Sequence, residues 1–315
     1  MRSFIIKEND ADQRLDKFVL KVAANLSPSL MYKYLRKKAI KVNGKRAEGN
    51  ARLQVGDLVE LYINDEFFKE KSDDFRAISY RPALSIVYED ENLMLVDKKA
   101  GVPVHADDHG TRDTLINHVL LYLYEKGEYD PKEAQSFTPA LCNRLDRNTG
   151  GIVIVAKNAA AGRALYEIVK YRQVEKRYLT LALGKLPKKE ATLKAYLKKD
   201  SKENKVRIIN EPREGFKEII TRYRVLKEGE KTSLLEIELI TGRTHQIRAH
   251  LAHIGHPVAG DLKYGTAAEN RGLPFRHQAL YAYSLEFKLP REHFLSYLNG
   301  RRFRVKNVYF EEFLQ

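Results

Sequence analysis

The first feature of this sequence that could take part in a chemical reaction is an aspartate between two arginines. Asp146 lies between Arg144 and Arg147, and the apolar run 152–156 follows shortly after two glycines. An unbroken apolar run predicts a buried strand, so we expect Asp146 in a loop at the mouth of that strand. An adjacent guanidinium would keep the carboxylate ionised. A structural Arg–Asp pair in a turn explains the spacing equally well.

A tyrosine at the start of the next predicted strand is a second candidate. In the segment 178–183, leucines occupy every second position, and alternate side chains of a strand point to opposite faces. Tyr178 is therefore predicted to lie off the leucine face. There it could line a groove and stack on a base. The pattern alone slightly favours the other interpretation, a tyrosine packed on a second buried face.

The segment 241–248 (TGRTHQIR) is the third candidate, at the junction of a predicted strand and a predicted helix. Thr244 is the expected N-cap, and His245 and Arg248 share one helical face at a spacing of three. A helix N-terminus with Arg243, His245 and Gln246 suits phosphate binding. A surface helix with ordinary polar residues is the alternative.

Histidines and one cysteine invite a metal or thiol site, but their spacing does not support one. His245, His250, His253 and His256 lie along one short helix and its end, so they do not all converge. Cys142 has no obvious activating partner and is expected to be a small packing residue. The sequence also lacks a P-loop and a dinucleotide-binding glycine fingerprint. The spacing therefore predicts no metal site at these residues.

The elements that must position these residues fall into two units. Residues 1–65 predict two helices followed by short strands, with an Asn43-Gly44 turn. Residues 66–80 are predicted to be a linker, and residues 81–315 form the second unit. In that unit three predicted hairpins, 85–97, 192–210 and 218–240, favour a largely antiparallel sheet.

Charge and composition exclude several classes of protein. The chain has 315 residues, of which 43% are hydrophobic, enough for a real core. Its 56 Lys and Arg residues outnumber 42 Asp and Glu, and a net charge of +14 suggests a polyanionic partner. One cysteine permits no internal disulfide, and no apolar run is long enough for a membrane span or a signal peptide. We expect a cytoplasmic protein with no membrane partner.

Several of these segments, taken in order, resemble the RluA-type family of RNA pseudouridine synthases. The resemblance covers about residues 84–290, and several motifs in the right order are more specific than any one alone. The matching segments are 144–146 (RLD), 175–178 (EKRY), 241–248 (TGRTHQIR), 255–257 (GHP) and 260–261 (GD). The sequence departs from the family at Asn143, where histidine is common, and at Gly150, where serine is common.

The first 65 residues resemble an S4 RNA-binding domain. The matching segments are 14–18 (RLDKF), a basic second helix and 40–45 (IKVNGK). A charged, solvated helix face is the plainer interpretation, but the basic residues continue from the helix into the hairpin. The side chains predicted to contact RNA come from this unit and from the segments around Asp146 and Arg248. They are Lys33, Arg36, Lys37, Lys41, Lys45, Arg144, Arg147, Arg243, His245 and Gln246.

The resemblance implies a function and a role for each candidate. Asp146 would drive cleavage of the uridine glycosidic bond and reattachment of the base through carbon. Tyr178 would stack on the flipped uracil and assist proton removal, and Arg248 would orient Asp146. Arg144 would hold the RNA open around the extruded nucleotide, because an in-helix base hides the bond to be broken.

The implied fold is α+β, a mainly antiparallel mixed sheet with helices and a catalytic cleft, preceded by the small S4-like domain. The substrate would be RNA, with large-subunit ribosomal RNA expected and transfer RNA left open, and the resemblance implies no metal and no organic cofactor. We expect a monomer. Two other functions compete: a non-catalytic RNA-binding protein of ribosome assembly that kept this fold, and a metal-dependent hydrolase built on the histidines.

Overall fold

The N-terminal unit is a small antiparallel sheet covered by two helices. The computed structural model describes residues 1–68, 74–78, 83–106, 110–200 and 203–313. The sheet has the order β1-β4-β2-β3. Its elements are β1 (Arg2–Ile5), α1 (Leu15–Val22), α2 (Pro28–Arg36), β2 (Ile40–Val42), β3 (Lys45–Arg46) and β4 (Leu58–Leu61). Phe18, Met31 and Val59 are fully buried between the sheet and the helices.

Local sequence signals place these elements. Ser27 caps α2, accepting a hydrogen bond from the Leu30 N–H at 3.3 Å, and Pro28 occupies the first helical position. Asn43 and Gly44 both have positive φ, 52° and 72°, as a tight two-residue hairpin requires. The predicted hairpin turn is therefore confirmed.

The second unit is built on one large mixed sheet. Its order is β11-β10-β12-β13-β9-β14-β8-β6-β5, with β15 on β14 and β7 on β8. Only the β14–β8 pair is parallel among the described strands. The strands are β5 (Ile86–Glu89), β6 (Leu93–Lys98), β7 (Ala140–Leu141), β8 (Gly150–Ala156), β9 (Val174–Leu183), β10 (Glu190–Asp200), β11 (Lys205–Ile209), β12 (Lys217–Glu228), β13 (Thr232–Leu239), β14 (Leu280–Phe287) and β15 (Arg302–Arg304). The predicted fold class and all three predicted hairpins are confirmed.

Helices cover both faces of this sheet and divide its core. They are α3 (Leu115–Glu125), α4 (Ala159–Lys170) and α5 (Gln246–His253), and short 3-10 turns lie at Glu8–Asp10, Asp65–Phe67, Asp74–Ala77 and Ser296–Leu298. Leu179 and Leu181 of β9 pack with α4 on one face, whereas Tyr178 and Ala182 pack with α3 and α5 on the other. In the described ranges, no helix has the length and apolar character needed to cross a membrane.

The two units touch through the first residues of the chain. The buried Asp10 carboxylate accepts hydrogen bonds from the Ser136 N–H at 3.0 Å and from its hydroxyl at 2.6 Å. Gln135 donates to the Ile5 carbonyl at 2.9 Å, and Asn9 accepts from the Ala159 N–H at the start of α4. These contacts dock the N-terminal unit on the large sheet unit.

The predicted linker 66–80 lies partly outside the described residues, which omit 69–73 and 79–80. Phe68 packs in the N-terminal core, so that core extends beyond residue 65. Phe75 and Ile78 pack on Leu120 and Leu121 of α3. The division of the chain at 65 and 80 stays a prediction.

Two glycines allow the only parallel pairing among the described strands. Gly151 has φ +118°, and a Cβ on it would lie 2.3 Å from the Ala282 carbonyl oxygen. A Cβ on Gly150 would meet the Tyr281 ring at the same distance. A side chain at either position would push β14 away from β8. The two glycines therefore permit the close approach of β14 to β8.

Candidate active site

The loop between β7 and β8 carries Asp146 and is tied down on both sides. The Leu145 side chain is buried in the core, and the Thr149 N–H donates to the Asp146 carbonyl at 3.0 Å. The Asn143 side chain accepts from the Ile154 N–H at 2.7 Å and donates to the Ile152 carbonyl at 3.4 Å. An amide can do both, so the asparagine that replaces the family's common histidine anchors the loop to β8.

A buried lysine clamps this loop from the other side. Lys98, at the end of β6, is 1% exposed. Its Nζ donates to the carbonyls of Lys99 at 3.1 Å, Val102 at 2.8 Å and Arg147 at 2.9 Å. Burial lowers the pKa of Lys98 to about 8, against the opposing effect of Asp146. Lys98 was not a predicted site residue, because a lysine at a strand end gives no sign of a buried clamp.

Arg248 links two aspartates from different parts of the chain. Its Nη1 donates to Asp146 Oδ2 at 2.9 Å, while Nε and Nη2 donate to the two oxygens of Asp261 at 2.6 and 2.9 Å. The pairing of Asp146 with Arg248 is therefore present. Asp261 is 1% exposed and was not predicted, although it lies in one of the matching segments. A bidentate carboxylate fixes the guanidinium plane, and the guanidinium fixes Asp146.

The start of α5 differs from its prediction. The N-cap residue is His245, in the left-handed region at φ 53°, and Thr244 is not the cap. His245 Nδ1 is hydrogen-bonded to the Tyr264 hydroxyl at 2.8 Å, and its Nε2 lies 3.8 Å from Asp146 Oδ2. Burial lowers the pKa of His245, so its ring is neutral near pH 7. The contacts with Tyr264 and Asp146 hold the ring in the cleft.

The predicted RNA contact of Gln246 is wrong, because the side chain is buried. It is 2% exposed. Its Oε1 accepts from the Thr241 hydroxyl and the Arg243 N–H, and its Nε2 donates to the Ile220 carbonyl and the Thr221 hydroxyl. All of these distances lie between 3.0 and 3.1 Å. The amide is fully used inside the protein, so Gln246 shapes the loop before α5 and is not available to RNA.

Tyr178 satisfies both interpretations of its strand position. It is 7% exposed and packs with the core that α3 and α5 cover, yet its ring also lines the cleft beside Asp146. Burial raises its pKa well above the usual range, and the negative charge of Asp146 adds to the shift. The hydroxyl is therefore protonated at neutral pH, and it has no hydrogen-bond partner among the described residues.

These groups surround one basic cleft of about 1440 Å³. Among the described residues, ten lysines and arginines line it, against only two aspartates, Asp146 and Asp261. Arg144, Arg147 and Arg243 are exposed along its walls. Such a balance attracts a polyanion and focuses it on the single accessible carboxylate, Asp146.

The predicted RNA contacts of the N-terminal unit lie on a separate surface and do not line the cleft. Lys33, Arg36, Lys37 and Lys45 are exposed, and none of them forms an ion pair with a described residue. Lys41 is half-buried, with its Nζ 5.1 Å from the centre of the Tyr62 ring. The surface is therefore basic and carries an aromatic ring.

The histidines and the cysteine do not form a second chemical site. His250 is bonded to Thr221, His253 to Asn210 and His256 to the Leu183 carbonyl. Within the described ranges, no three His, Cys, Asp or Glu side chains are placed to hold a metal ion. Burial raises the pKa of Cys142 to about 11, so its thiol is protonated and unreactive at neutral pH.

Comparison of this sequence with known proteins finds a matching family and similar proteins. Residues 92–253 match the family RNA pseudouridylate synthase. An uncharacterized RNA pseudouridine synthase of Mycoplasma genitalium is 32% identical and aligns over 99% of this chain and 98% of its own length. Ribosomal large subunit pseudouridine synthase C of Buchnera aphidicola is 33% identical, over 82% of this chain and 79% of its own.

Solved structures agree with the sequence comparisons. Human RNA pseudouridylate synthase domain containing 1 superposes with a TM-score of 0.55 at 29% identity. The match covers 68% of this chain and 82% of the human one. With a basic cleft, an arginine-held aspartate and a family match over more than half of its length, this chain belongs to the RNA pseudouridylate synthase family.

Proposed function

We propose that Asp146 is the carboxylate with which this RNA pseudouridine synthase isomerises uridine. The reaction breaks the bond between N1 of uracil and C1′ of ribose and forms a bond from C5 to C1′. C5 loses a proton and N1 gains one, so atoms balance without an oxidant, a reductant or a second substrate. The observation that carries the proposal is the Asp146–Arg248–Asp261 chain of hydrogen bonds at the floor of the basic cleft.

Tyr178 is proposed to receive the extruded uracil. Its ring lies on the cleft wall close enough to Asp146 for the two groups to interact electrostatically. Because its pKa is raised, the hydroxyl keeps its proton until a base or the substrate removes it. Arg144, exposed at the cleft rim two residues from Asp146, would occupy the space that the base leaves in the RNA.

The RNA substrate is proposed to be large-subunit ribosomal RNA. The support is the similarity to relatives named ribosomal large subunit pseudouridine synthase C, at 31–33% identity. We further propose that residues 1–65 are an S4-like RNA-binding unit. Two helices on a small antiparallel sheet, with exposed basic side chains without carboxylate partners, support that assignment.

Tritium release from RNA labelled with 5-tritiated uridine tests the activity and its substrate together. Isomerisation at C5 must expel the label, whereas binding alone does not. RNA from cells that lack this gene is fractionated into ribosomal and transfer RNA before the assay. We expect release from the large-subunit ribosomal fraction, and site-resolved pseudouridine mapping then identifies the uridine. Release from transfer RNA alone would refute the ribosomal assignment.

The basic surface of the N-terminal unit is tested by charge reversal, because deleting residues 1–65 would also remove the contacts of Asp10 and Asn9 with the large unit. We expect Lys37→Glu with Lys45→Glu to weaken RNA binding at physiological salt and to flatten its salt dependence. Release of tritium at saturating RNA should change little. Unchanged affinity would contradict an RNA-binding role for this surface.

A further inference from the structure

Lys176 shares the cleft face of β9 with Tyr178. The two residues are separated by one position, so their side chains point to the same side of the strand. Both line the cleft, as do Cys142 and Val174 at the same end. The intervening Arg177 and the preceding Glu175 have their charges paired elsewhere, Arg177 with Glu236 and Glu175 with Arg177 and Lys288.

The Lys176 ammonium has no anionic partner in the part of the chain that the structure describes. No carboxylate there lies within ion-pair distance, and its Nζ makes no hydrogen bond to a described residue. The titratable group that interacts electrostatically with Lys176 is Cys142, whose thiol is neutral because burial raises its pKa to about 11. Burial in turn lowers the pKa of Lys176. The protein therefore leaves the three donors of this group unused.

Lys176 is half-buried, and two fully buried cations of the cleft differ from it in having protein partners. Lys98 donates to three backbone carbonyls, and Arg248 donates to two carboxylates. Partial desolvation of a cation costs stability unless a partner compensates for it, so a half-buried ammonium that faces an open cleft without a partner among the described residues points to a ligand that supplies the charge. Lys170 and Arg172, both exposed, line the same end and add to its positive potential.

We propose that Lys176 binds a backbone phosphate of the RNA next to the nucleotide that enters beside Tyr178. This inference rests on the proposed function of the cleft. Two positions along a strand span about 6.6 Å. With uracil on the Tyr178 ring, Lys176 is therefore offset from the base and meets the backbone. The ligand is a phosphate diester of the substrate itself, and Lys176 acts as a substrate-positioning residue.

The test compares Lys176→Met, Lys176→Arg and a matched control, Lys194→Met, in the full-length protein. Lys194 is an exposed lysine of β10, next to Ala195, which packs under α5. Lys194 therefore faces away from the cleft side of the sheet. Binding and tritium release are measured with RNA from cells that lack this gene, in whichever RNA fraction the wild-type protein modifies. A wrong ribosomal assignment thus changes the fraction and not the comparison.

For Lys176→Met we expect about tenfold weaker RNA binding, which is the smallest loss expected when a hydrogen bond to a charged group is removed. The plot of log affinity against log salt should become less steep by about 0.7 to 0.9, equivalent to one phosphate contact. KM should rise with kcat nearly unchanged, and Lys176→Arg should recover most of the affinity. Lys194→Met should match the wild-type protein in all of these.

Thermal unfolding separates this role from a structural one. Removing a half-buried charge that has no partner among the described residues should leave Lys176→Met at least as stable as the wild-type protein. A lower unfolding temperature for Lys176→Met would overturn the proposal, because it would show that the ammonium has a stabilising partner in the protein. An unchanged affinity and salt slope, or a loss in kcat at constant KM, would overturn it as well.

Discussion

Asp146→Asn and Asp261→Asn make the same chemical change in the two carboxylates that Arg248 binds. The structure nevertheless predicts that the first affects activity and the second affects stability. Asp146 is accessible to substrate, with 27% of its side chain exposed, whereas 1% of the Asp261 side chain is exposed. Asp146→Asn should abolish isomerisation and leave the fold nearly unchanged. Asp261→Asn should act mainly through the free energy of unfolding.

The magnitudes follow from what each substitution leaves around Arg248. After Asp146→Asn, Arg248 keeps both hydrogen bonds to Asp261, and the new amide oxygen can still accept from Nη1. The loss is then that of one partly solvated hydrogen bond, about 0.5–1.5 kcal/mol. Asp261→Asn removes the fully buried carboxylate that pairs with the buried Arg248 guanidinium. Breaking a buried ion pair in this way costs about 3–5 kcal/mol.

Urea denaturation, RNA binding and tritium release on the same preparations test this difference. For Asp146→Asn, tritium release should fall below detection, because a neutral amide is neither a useful nucleophile nor a base. Its RNA affinity should be retained or rise slightly, since a negative charge leaves a basic cleft. A folded Asp146→Asn protein that makes pseudouridine at the wild-type rate would refute the mechanism. An Asp261→Asn protein as stable as wild type would refute the inference that the Arg248–Asp261 pair contributes more to the free energy of unfolding than the Arg248–Asp146 pair.

Two further substitutions examine groups around Asp146. Tyr178→Phe should slow single-turnover tritium release while RNA affinity stays within about twofold, because the ring can still stack; an unchanged rate would exclude a chemical role for the hydroxyl. Burial lowers the pKa of Lys98 to about 8, so between pH 8 and roughly 10.4 the unfolded chain holds the extra proton and stability rises with pH. The unfolding free energy of wild type relative to Lys98→Met should therefore increase by up to about 3 kcal/mol over that range in urea titrations, and a pH-independent difference would contradict the shift.

Elements with local signals could be predicted from the sequence. The hairpins and the buried strand β8 were expected, because turn residues and periodic apolar positions act over a few residues. The start of α4 is equally local, since the Asn158 side chain accepts a hydrogen bond from the Ala161 N–H at 2.8 Å. Helix α3 and strand β14, by contrast, were not predicted.

The incorrect predictions concern residues whose conformation depends on distant partners. Thr244 has the right type for an N-cap, but the contacts of His245 with Tyr264 and Asp146 move the start of α5 by one residue. Gln246 has the polarity of an RNA-binding residue, but the backbone of β12 supplies a buried partner for its amide. Residue type alone does not distinguish a polar group that faces solvent from one that is satisfied inside.

The sequence by itself indicated the family and the sheet-rich fold, and it singled out Asp146, Tyr178 and Arg248 as candidate site residues, since motif order and periodicity are properties of the chain. The tertiary structure decided which other groups contact and orient these residues. Asp146 and Arg248 are 102 residues apart, and Asp261 lies a further 13 residues along the chain. The packing of helices and loops around β8, β9 and β14 brings these groups together and places Lys98 behind the loop. It also leaves Lys176 in the cleft without a partner among the residues that the structure describes. Burial and charge compensation depend on neighbours in space, and a sequence pattern reports only neighbours along the chain.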